Sequence, residues 1–316
     1  MAERSKAGRG PLTWRYVQGY ETVDMRAQFQ YAHTSAIVAT HANAQGEAMR
    51  SQTGPDFIEA LARGLDVIRA FTPARPAMSL SEVAAAAGLA RPTARRILLT
   101  LEELGYIRAD NGTFALTPRV LELGMAYIGA TSIWELARPH MERLVARTGE
   151  SSSLAQLDGS DIVYVARVAV PKIITLAVTI GTRFPALQTS LGKVLLAALP
   201  HDEMEQTLAQ PSRSGIAPRW NPSAEERDCA LLEVRTRGWS LTDEQLARGI
   251  RSIGAPVYDR PGHVAAALNV STHAAETSIE TLTETYLPLL LTTAEAISAD
   301  WTLHQSRPEM TIAARS

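Results

Sequence analysis

Cysteine is nearly absent from this chain of 316 residues: Cys229 stands alone. One thiol closes no intramolecular disulfide and builds no cysteine-based zinc site, which fits a reducing, cytoplasmic setting. Long apolar runs are lacking too. Stretches such as Val83–Ala87 fall far short of the ~20 residues that span a bilayer. No signal-peptide-like segment is expected at the start, and no membrane partner. Charge of one sign is not in excess: 31 Lys and Arg stand against 33 Asp and Glu, for a net charge of −2. Overall charge therefore does not draw this chain to a polyanion, and any such contact must come from a local patch. Signatures of catalysis are also missing. There is no Gly-x-Ser-x-Gly, phosphate-loop or His-Glu-x-x-His motif, and Gly192-Lys193 is only a fragment of the second. The histidines (His33, His41, His140, His201, His263, His273 and His304) are dispersed. No catalytic residue, metal or cofactor is expected, and an enzyme is the less favoured alternative.

What is present is organised unevenly. Residues 1–55 mix Gly, Gln, Ser, Ala and His without a period and read as a flexible tail, or as a start-site extension with Met25 or Met49 as the true start. The alternative is an ordered arm. Residues 56–118 form a first domain, 119–133 a linker helix, 134–304 a second domain and 305–316 a tail. From Phe57, helical spacing links Ile58, Leu61, Leu65, Ile68 and Phe71. Ser79 and Glu82 make a capping box, and Gly88 ends the helix that follows. Arg91-Pro92 opens a third helix that reaches Leu104, with Gly105 beyond it. Two short strands, Tyr106–Arg108 and Thr113–Leu116, flank the turn Asp110-Asn111-Gly112. Helix, turn, helix and hairpin is the order of a winged helix-turn-helix.

The second domain alternates hairpins with helices, the pattern of an antiparallel sheet covered by helices, and the chain is α+β overall. Helices are expected over Val120–Gly129 and Trp134–Arg147. Strands are expected at Ser151–Leu157, Ile162–Val170 and Ile173–Thr179, then helices at Ser190–Leu199 and Ser223–Arg237. A hairpin of Ile253–Val257 with Val264–Ser271 and a closing helix Glu276–Ala299 complete it.

The third helix carries the chemistry of the first domain. At 100° per residue Ala94, Ile97, Leu98, Leu101 and Leu104 share one stripe, while Arg95, Arg96 and Leu99 lie opposite. Paired arginines near the start of a second helix-turn-helix helix suit contacts with phosphates and base edges of double-stranded DNA. The plain alternative is a solvated arginine pair. Arg91, Pro92 and Thr93 sit at the same end, and Arg108 beside the wing is a candidate phosphate contact. From Arg91 to Arg108 four arginines face Glu102 and Glu103, a local charge of only +2. Specific binding would therefore need two heads on two half-sites.

These segments resemble a known family. Ala62–Phe71, Leu80–Leu89 and Arg91–Tyr106 are similar to the head of the IclR family of bacterial regulators. Gly181-Thr-Arg-Phe-Pro-Ala186, Thr189-Ser-Leu-Gly-Lys193, Arg237-Gly-Trp239, Ser252-Ile-Gly-Ala-Pro256 and Ala266-Ala-Leu-Asn-Val-Ser271 are similar to its second domain, in the same order. The likeness runs from Phe57 to Trp301. It implies a GAF/PAS-like effector-binding domain, operator DNA as partner with Ser81 among its contacts, self-association into a dimer or tetramer, and RNA polymerase as a further partner. Arg95-Arg96, Glu150-Ser-Ser-Ser153 and Thr189-Ser190 most resemble the branch that governs aromatic-acid catabolism through the β-ketoadipate pathway, whose effectors include 4-hydroxybenzoate, protocatechuate, muconate and β-ketoadipate. Asp243–Gly249, with Gln245 and Ala247, departs from that branch, whose members are more acidic there. The alternative is a regulator of another carboxylate pathway, such as glyoxylate or acetate metabolism.

A small carboxylate effector has an expected seat. Thr189–Lys193 runs into a helix, whose free N–H groups favour an anion. Ser190 adds a hydroxyl and Gly192 allows close approach, unless Ser190 only caps the helix. The resemblance extends this seat to Leu191, Asp243, Ser252, Asn269 and Ser271, and more loosely to Ile173. Asn269 and Ser271 lie two apart on a strand and so share a face, which lines a cavity or meets solvent. Arg183 is a candidate for a second carboxylate, or is structural.

Overall fold

The computed structural model describes residues 54–305, apart from Ser132, residues 172–177 and Pro218; for 126 and 128–131 it describes the backbone alone. The first domain begins with α1 (Glu59–Ala70), strand β1 (Ala77–Ser79), α2 (Leu80–Ala86) and α3 (Arg91–Glu103). The hairpin β2 (Ile107–Asp110) and β3 (Thr113–Leu116) follows. Ser79 caps α2 in both directions: its Oγ accepts from Glu82 N at 3.4 Å, and its N–H donates to the Glu82 carboxylate at 2.7 Å. Asn111 and Gly112 both have positive φ, +48° and +80°, the left-handed pair that a two-residue hairpin turn demands. Val67, Phe71, Met78, Val83, Leu98, Leu101 and Ile107 form the core.

Three details differ from expectation. Strand β1 has no periodicity of its own, yet it pairs with β3, Met78 opposite Phe114, so the wing has three strands in the order β1-β3-β2. Leu104 lies past the end of α3 and is half exposed rather than part of the stripe. In α1 the buried side carries Val67 and Ala70, while Phe57, Ile58, Leu61 and Leu65 lie outside.

A 3₁₀ turn (Pro118–Val120) leads to α4 (Leu121–Thr131) and then α5 (Ile133–Thr148). The large sheet is antiparallel, in the order β6-β5-β4-β9-β8-β7. Its strands are β4 (Ser151–Asp158), β5 (Asp161–Val168), β6 (Arg183–Pro185), β7 (Ser240–Asp243), β8 (Ile250–Arg260) and β9 (His263–His273). Between β6 and β7 lie a 3₁₀ turn (Ala186–Gln188) and the helices α6 (Ser190–Ala197), α7 (His201–Leu208) and α8 (Ala224–Arg237). A π-helical turn (Thr281–Tyr286) runs into the closing helix α9 (Leu287–Gln305). Strands β6 and β7 and helix α7 are additions to the expected set. Of the expected strand Ile173–Thr179, residues 172–177 lie outside the described part, and Val178 and Thr179 are not in a strand.

The sheet separates two cores. Leu154, Ile253, Ala255, Val257, Ala266, Leu268 and Val270 pack with α5 and α9. Ala155, Ala267, Ile162 and Tyr164 face the other way, toward α6. A β-bulge decides what joins them: Leu154 pairs with Ala166 but Ala155 pairs with Tyr164, so Val165 is extra on β5. The bulge reverses the alternation. Tyr164 and Arg167, three apart, come to one face, and Ala166 goes to the opposite core.

Candidate functional site

Two surfaces carry the expected residues. On the head, α3 buries Ala94 and Leu98 completely and leaves Arg95 and Arg96 in solvent. Arg91 and Pro92 at its first turn, Ser81 on α2 and Arg108 on the wing are also exposed; Thr93 is half-buried. Among the described residues none of the guanidinia of Arg91, Arg95, Arg96 and Arg108 pairs with a carboxylate. Arg119 is bound differently: it pairs with Glu122 at 3.4 Å and lies 5.4 Å from the Tyr106 ring centre. The head thus presents unneutralised cations around one helix end, as a phosphate-facing surface requires. Leu99 is exposed among them.

The second site lies on the α6 side of the large sheet. Cross-strand registers set its polar residues in two rows. Thr242, Ser252, Ser271 and Ser151 make one row; Gly254, Asn269, Ser153 and Arg167 make the next. Gly254 brings the helix down onto the strands, since a Cβ there would lie 2.8 Å from the Ser190 carbonyl oxygen. Ser252, Asn269 and Ser271 line the resulting pocket, a cavity of about 60 Å³. Asn269 is held by its Oδ1, which accepts from Ser153 N at 2.9 Å.

Other expected residues serve the walls. Thr189, not Ser190, caps α6: its Oγ1 accepts from Gly192 N at 2.9 Å. The Ser190 hydroxyl is taken up at 2.8 Å by Ser252, which also meets Thr242 at 2.8 Å. Leu191 is buried in the core. The close approach at Gly192 is to protein, because a Cβ would stand 2.1 Å from the Ala186 carbonyl oxygen. Asp243 follows Thr242, whose side chain lines the pocket; Asp243 instead pairs with Arg251 at the sheet edge. Strand alternation puts one inside and the other out. Arg183 is structural, paired with Asp158 at 2.6 Å and with buried Asp161 at 3.4 Å. Ile173 lies outside the described residues.

The pocket holds groups that sequence reasoning passed over. Arg167 lines it, donates to Ser153 Oγ at 2.9 Å, and has no carboxylate partner among the described residues. Burial pushes its guanidinium below the ordinary value, an effect the nearby Tyr164 opposes. The Tyr164 phenol is pushed up to about 12, chiefly by burial, and packs edge-on against Phe184 at 5.7 Å. Gln188 lines the pocket, and among the described residues its buried Oε1 has no hydrogen-bond partner. A desolvated cation and an orphan amide oxygen thus face the same cavity.

Two other clusters sit apart from the pocket lining. Lys193 is buried, with Nζ donating to Gln245 at 2.5 Å and lying 4.4 Å from the Trp220 ring centre. Burial above all, then Arg237, pushes it down to about 8, against an opposing pull from Glu233. His201, Glu205 and Asp228 bring ligand atoms within 4.8 Å of one another. The Arg227 guanidinium lies on both carboxylates, so the group is an ion-pair network. Among the described residues no helix is long and apolar enough to cross a membrane.

Comparison with known proteins covers both domains. Residues 60–111 match the IclR helix-turn-helix domain, and residues 125–299 match the domain described as bacterial transcriptional regulator IclR C-terminal. The Pca regulon regulatory protein of Pseudomonas putida is 37% identical over 238 residues, covering 75% of this chain and 82% of that one. The p-hydroxybenzoate hydroxylase transcriptional activator of Acinetobacter baylyi is 32% identical over 248 residues, covering 77% and 91%. A Rhodococcus crystal structure, assigned as a transcriptional regulator, superposes with a TM-score of 0.68 at 46% identity, over 78% of this chain and all of that one. A reading head with bare arginines and a matched C-terminal domain with a cationic pocket are the two halves of one regulator, and the chain belongs to the IclR family of bacterial transcriptional regulators.

Proposed function

We propose that this regulator controls genes of aromatic-acid catabolism, binding operator DNA through Ser81, Arg91, Pro92, Thr93, Arg95, Arg96 and Arg108 and answering to a small organic acid. Arg167 carries this reading: a half-buried guanidinium that lines the pocket and has no carboxylate partner among the described residues is a seat for the effector's carboxylate. Ser252, Asn269 and Ser271 line the same cavity. The names of the Pseudomonas and Acinetobacter relatives point to aromatic acids. Phe57, Ile58, Leu61 and Leu65 near α1, with Leu121, Leu123 and Met125 on α4, expose apolar surface, which supports a dimer that carries two heads to a palindromic site. Binding must differ between two head arrangements for the acid to act.

Fluorescence anisotropy with the promoter fragment beside the gene tests this, with and without 4-hydroxybenzoate. The acid shifts the operator titration, and Arg167→Met removes the shift while circular dichroism reports a native fold. No promoter binding at low salt refutes the DNA-reading role. A full response from folded Arg167→Met refutes the seat.

A further inference from the structure

The wall of the pocket that holds Arg167 also holds a second donor. The extra residue Val165 on β5 puts Tyr164 and Arg167 on one face, and both line the cavity. Tyr164 is firmly placed. Its N–H donates to the Thr182 carbonyl oxygen at 3.0 Å, and its own carbonyl oxygen accepts from Gly181 N at 2.8 Å. Its ring meets Phe184 edge-on, and the residue is only 6% exposed. A buried phenol ordinarily finds a hydrogen-bond partner. Among the described residues the Tyr164 hydroxyl has none. Gln188 Oε1, an acceptor on the same cavity, is itself unpartnered, so the phenol is not spent there. Burial pushes the phenol up to about 12 against the opposing pull of Arg167, so it stays a protonated donor at neutral pH. Arg167, for its part, has Nη1 committed to Ser153 Oγ at 2.9 Å. A carboxylate carries two oxygens with about four acceptor sites, more than a guanidinium with one nitrogen engaged can cover.

From this arrangement we infer that Tyr164 is a second anchor for the effector's carboxylate, its hydroxyl donating to the oxygen that Arg167 leaves uncovered. The inference rests on the acid-sensing role of Arg167 and adds a specificity-determining residue beside it. The guanidinium supplies charge and the phenol supplies direction. A hydrogen bond to an ionised acceptor is stronger than one between neutral groups, and without the acid the buried hydroxyl stays unpaired. One guest therefore satisfies Tyr164 and offsets the desolvation of Arg167 together. A carboxamide of the same shape gives up the charge and turns an N–H toward one of these donors, so the pair selects carboxylate over carboxamide. The bulge is what builds the pair. On a regular strand, residues three apart point to opposite faces, and only the extra residue brings this phenol and this guanidinium to one guest.

Tyr164→Phe removes one oxygen and keeps the ring against Phe184. Isothermal titration of the full chain with 4-hydroxybenzoate and with its amide, 4-hydroxybenzamide, tests the anchor. The variant should melt near the parent and bind the acid about 10-fold more weakly. The amide should bind the parent at least ~10-fold more weakly than the acid and lose no more than about 3-fold on Tyr164→Phe. A second measurement does not depend on the variant. 3-Fluorotyrosine installed at position 164 alone keeps the hydroxyl, and its fluorine resonance should shift when the acid is added. A folded Tyr164→Phe that binds the acid within about 2-fold of the parent, while Arg167→Met still loses the response, overturns the anchor and leaves the Arg167 seat standing. An equal loss for acid and amide means that Tyr164 serves packing alone and also overturns it, as does a fluorine resonance that the acid leaves unmoved. Failure of the parent to bind the acid overturns the acid sensing on which the inference rests.

Discussion

The arginines of the head and the arginine of the pocket put the same guanidinium to opposite uses. Arg95 and Arg96 stand in water on a helix whose other face is sealed by Ala94 and Leu98. They are held in place by the helix alone and, in the proposed function, gain a partner when a polyanion arrives. Arg167 is half-buried on a bulged strand and bonded to Ser153, and in the proposed function its desolvation is offset when an anion enters. The first kind of site reads a long, repetitive ligand through many weak, salt-sensitive contacts. The second reads one small molecule through a few desolvated ones, where a missing bond is costly.

The comparison breaks most sharply at the seam that makes the pocket. Gly192 lets α6 pass against the Ala186 backbone, and Gly124 in α4 has nothing within 4 Å of an added Cβ. Gly192→Val must displace backbone, not a flexible side chain, and is expected to cost more than about 4 kcal/mol. The C-terminal domain should then fail to fold. Gly124→Ala should change stability by no more than about 1 kcal/mol. Thermal unfolding of the two variants beside the parent decides the point, and a native melting curve for Gly192→Val would show that the seam opens freely.

A tenfold effect is expected at the head. Arg96→Ala should weaken operator binding about 10-fold and lower the slope of log affinity against log salt by about 1, as one phosphate contact is lost. Anisotropy titrations at several salt concentrations measure both. Weaker binding with an unchanged slope would mean that Arg96 meets a base edge instead, which sharpens the contrast between positioning and reading.

The two regions were not equally legible. The head is written in local signals: a capping box, a proline at a helix start, glycines past helix ends and an Asn-Gly turn each specify backbone without reference to distant residues. Of its elements only β1 escaped, because three residues paired across the fold leave no period, although Leu104 and the apolar residues at the start of α1 turned out exposed. In the large sheet, the shared face of Asn269 and Ser271 follows from alternation along a regular strand, whereas Ser252 was offered by the family resemblance alone. Arg167 could not be located by alternation. Strict alternation from Ile162 and Tyr164 sends it to the far face, and the extra residue Val165 brings it back. Gln188 sits in a turn with no period at all. The Thr189–Lys193 motif was placed at the right point of the chain, but its serine and glycine are spent on protein contacts, which only packing could reveal.

Parity also governs the smallest expected effect. Asp243 and Thr242 are neighbours on β7, so the strand that turns Thr242 inward turns Asp243 away. Its carboxylate meets Arg251 at the sheet edge, and Arg251 is independently anchored by the carbonyl oxygens of Ala274 and Thr277 at 3.2 and 3.1 Å. An exposed pair of this kind contributes less than about 1 kcal/mol. Asp243→Ala should therefore leave the melting temperature nearly unchanged and effector affinity within about 2-fold, where Arg167→Met abolishes the response. Calorimetry with 4-hydroxybenzoate on both variants tests the division. A large loss on Asp243→Ala would mean that β7 and its loop close over the bound acid, so that the outer edge of the sheet joins the pocket when it is occupied.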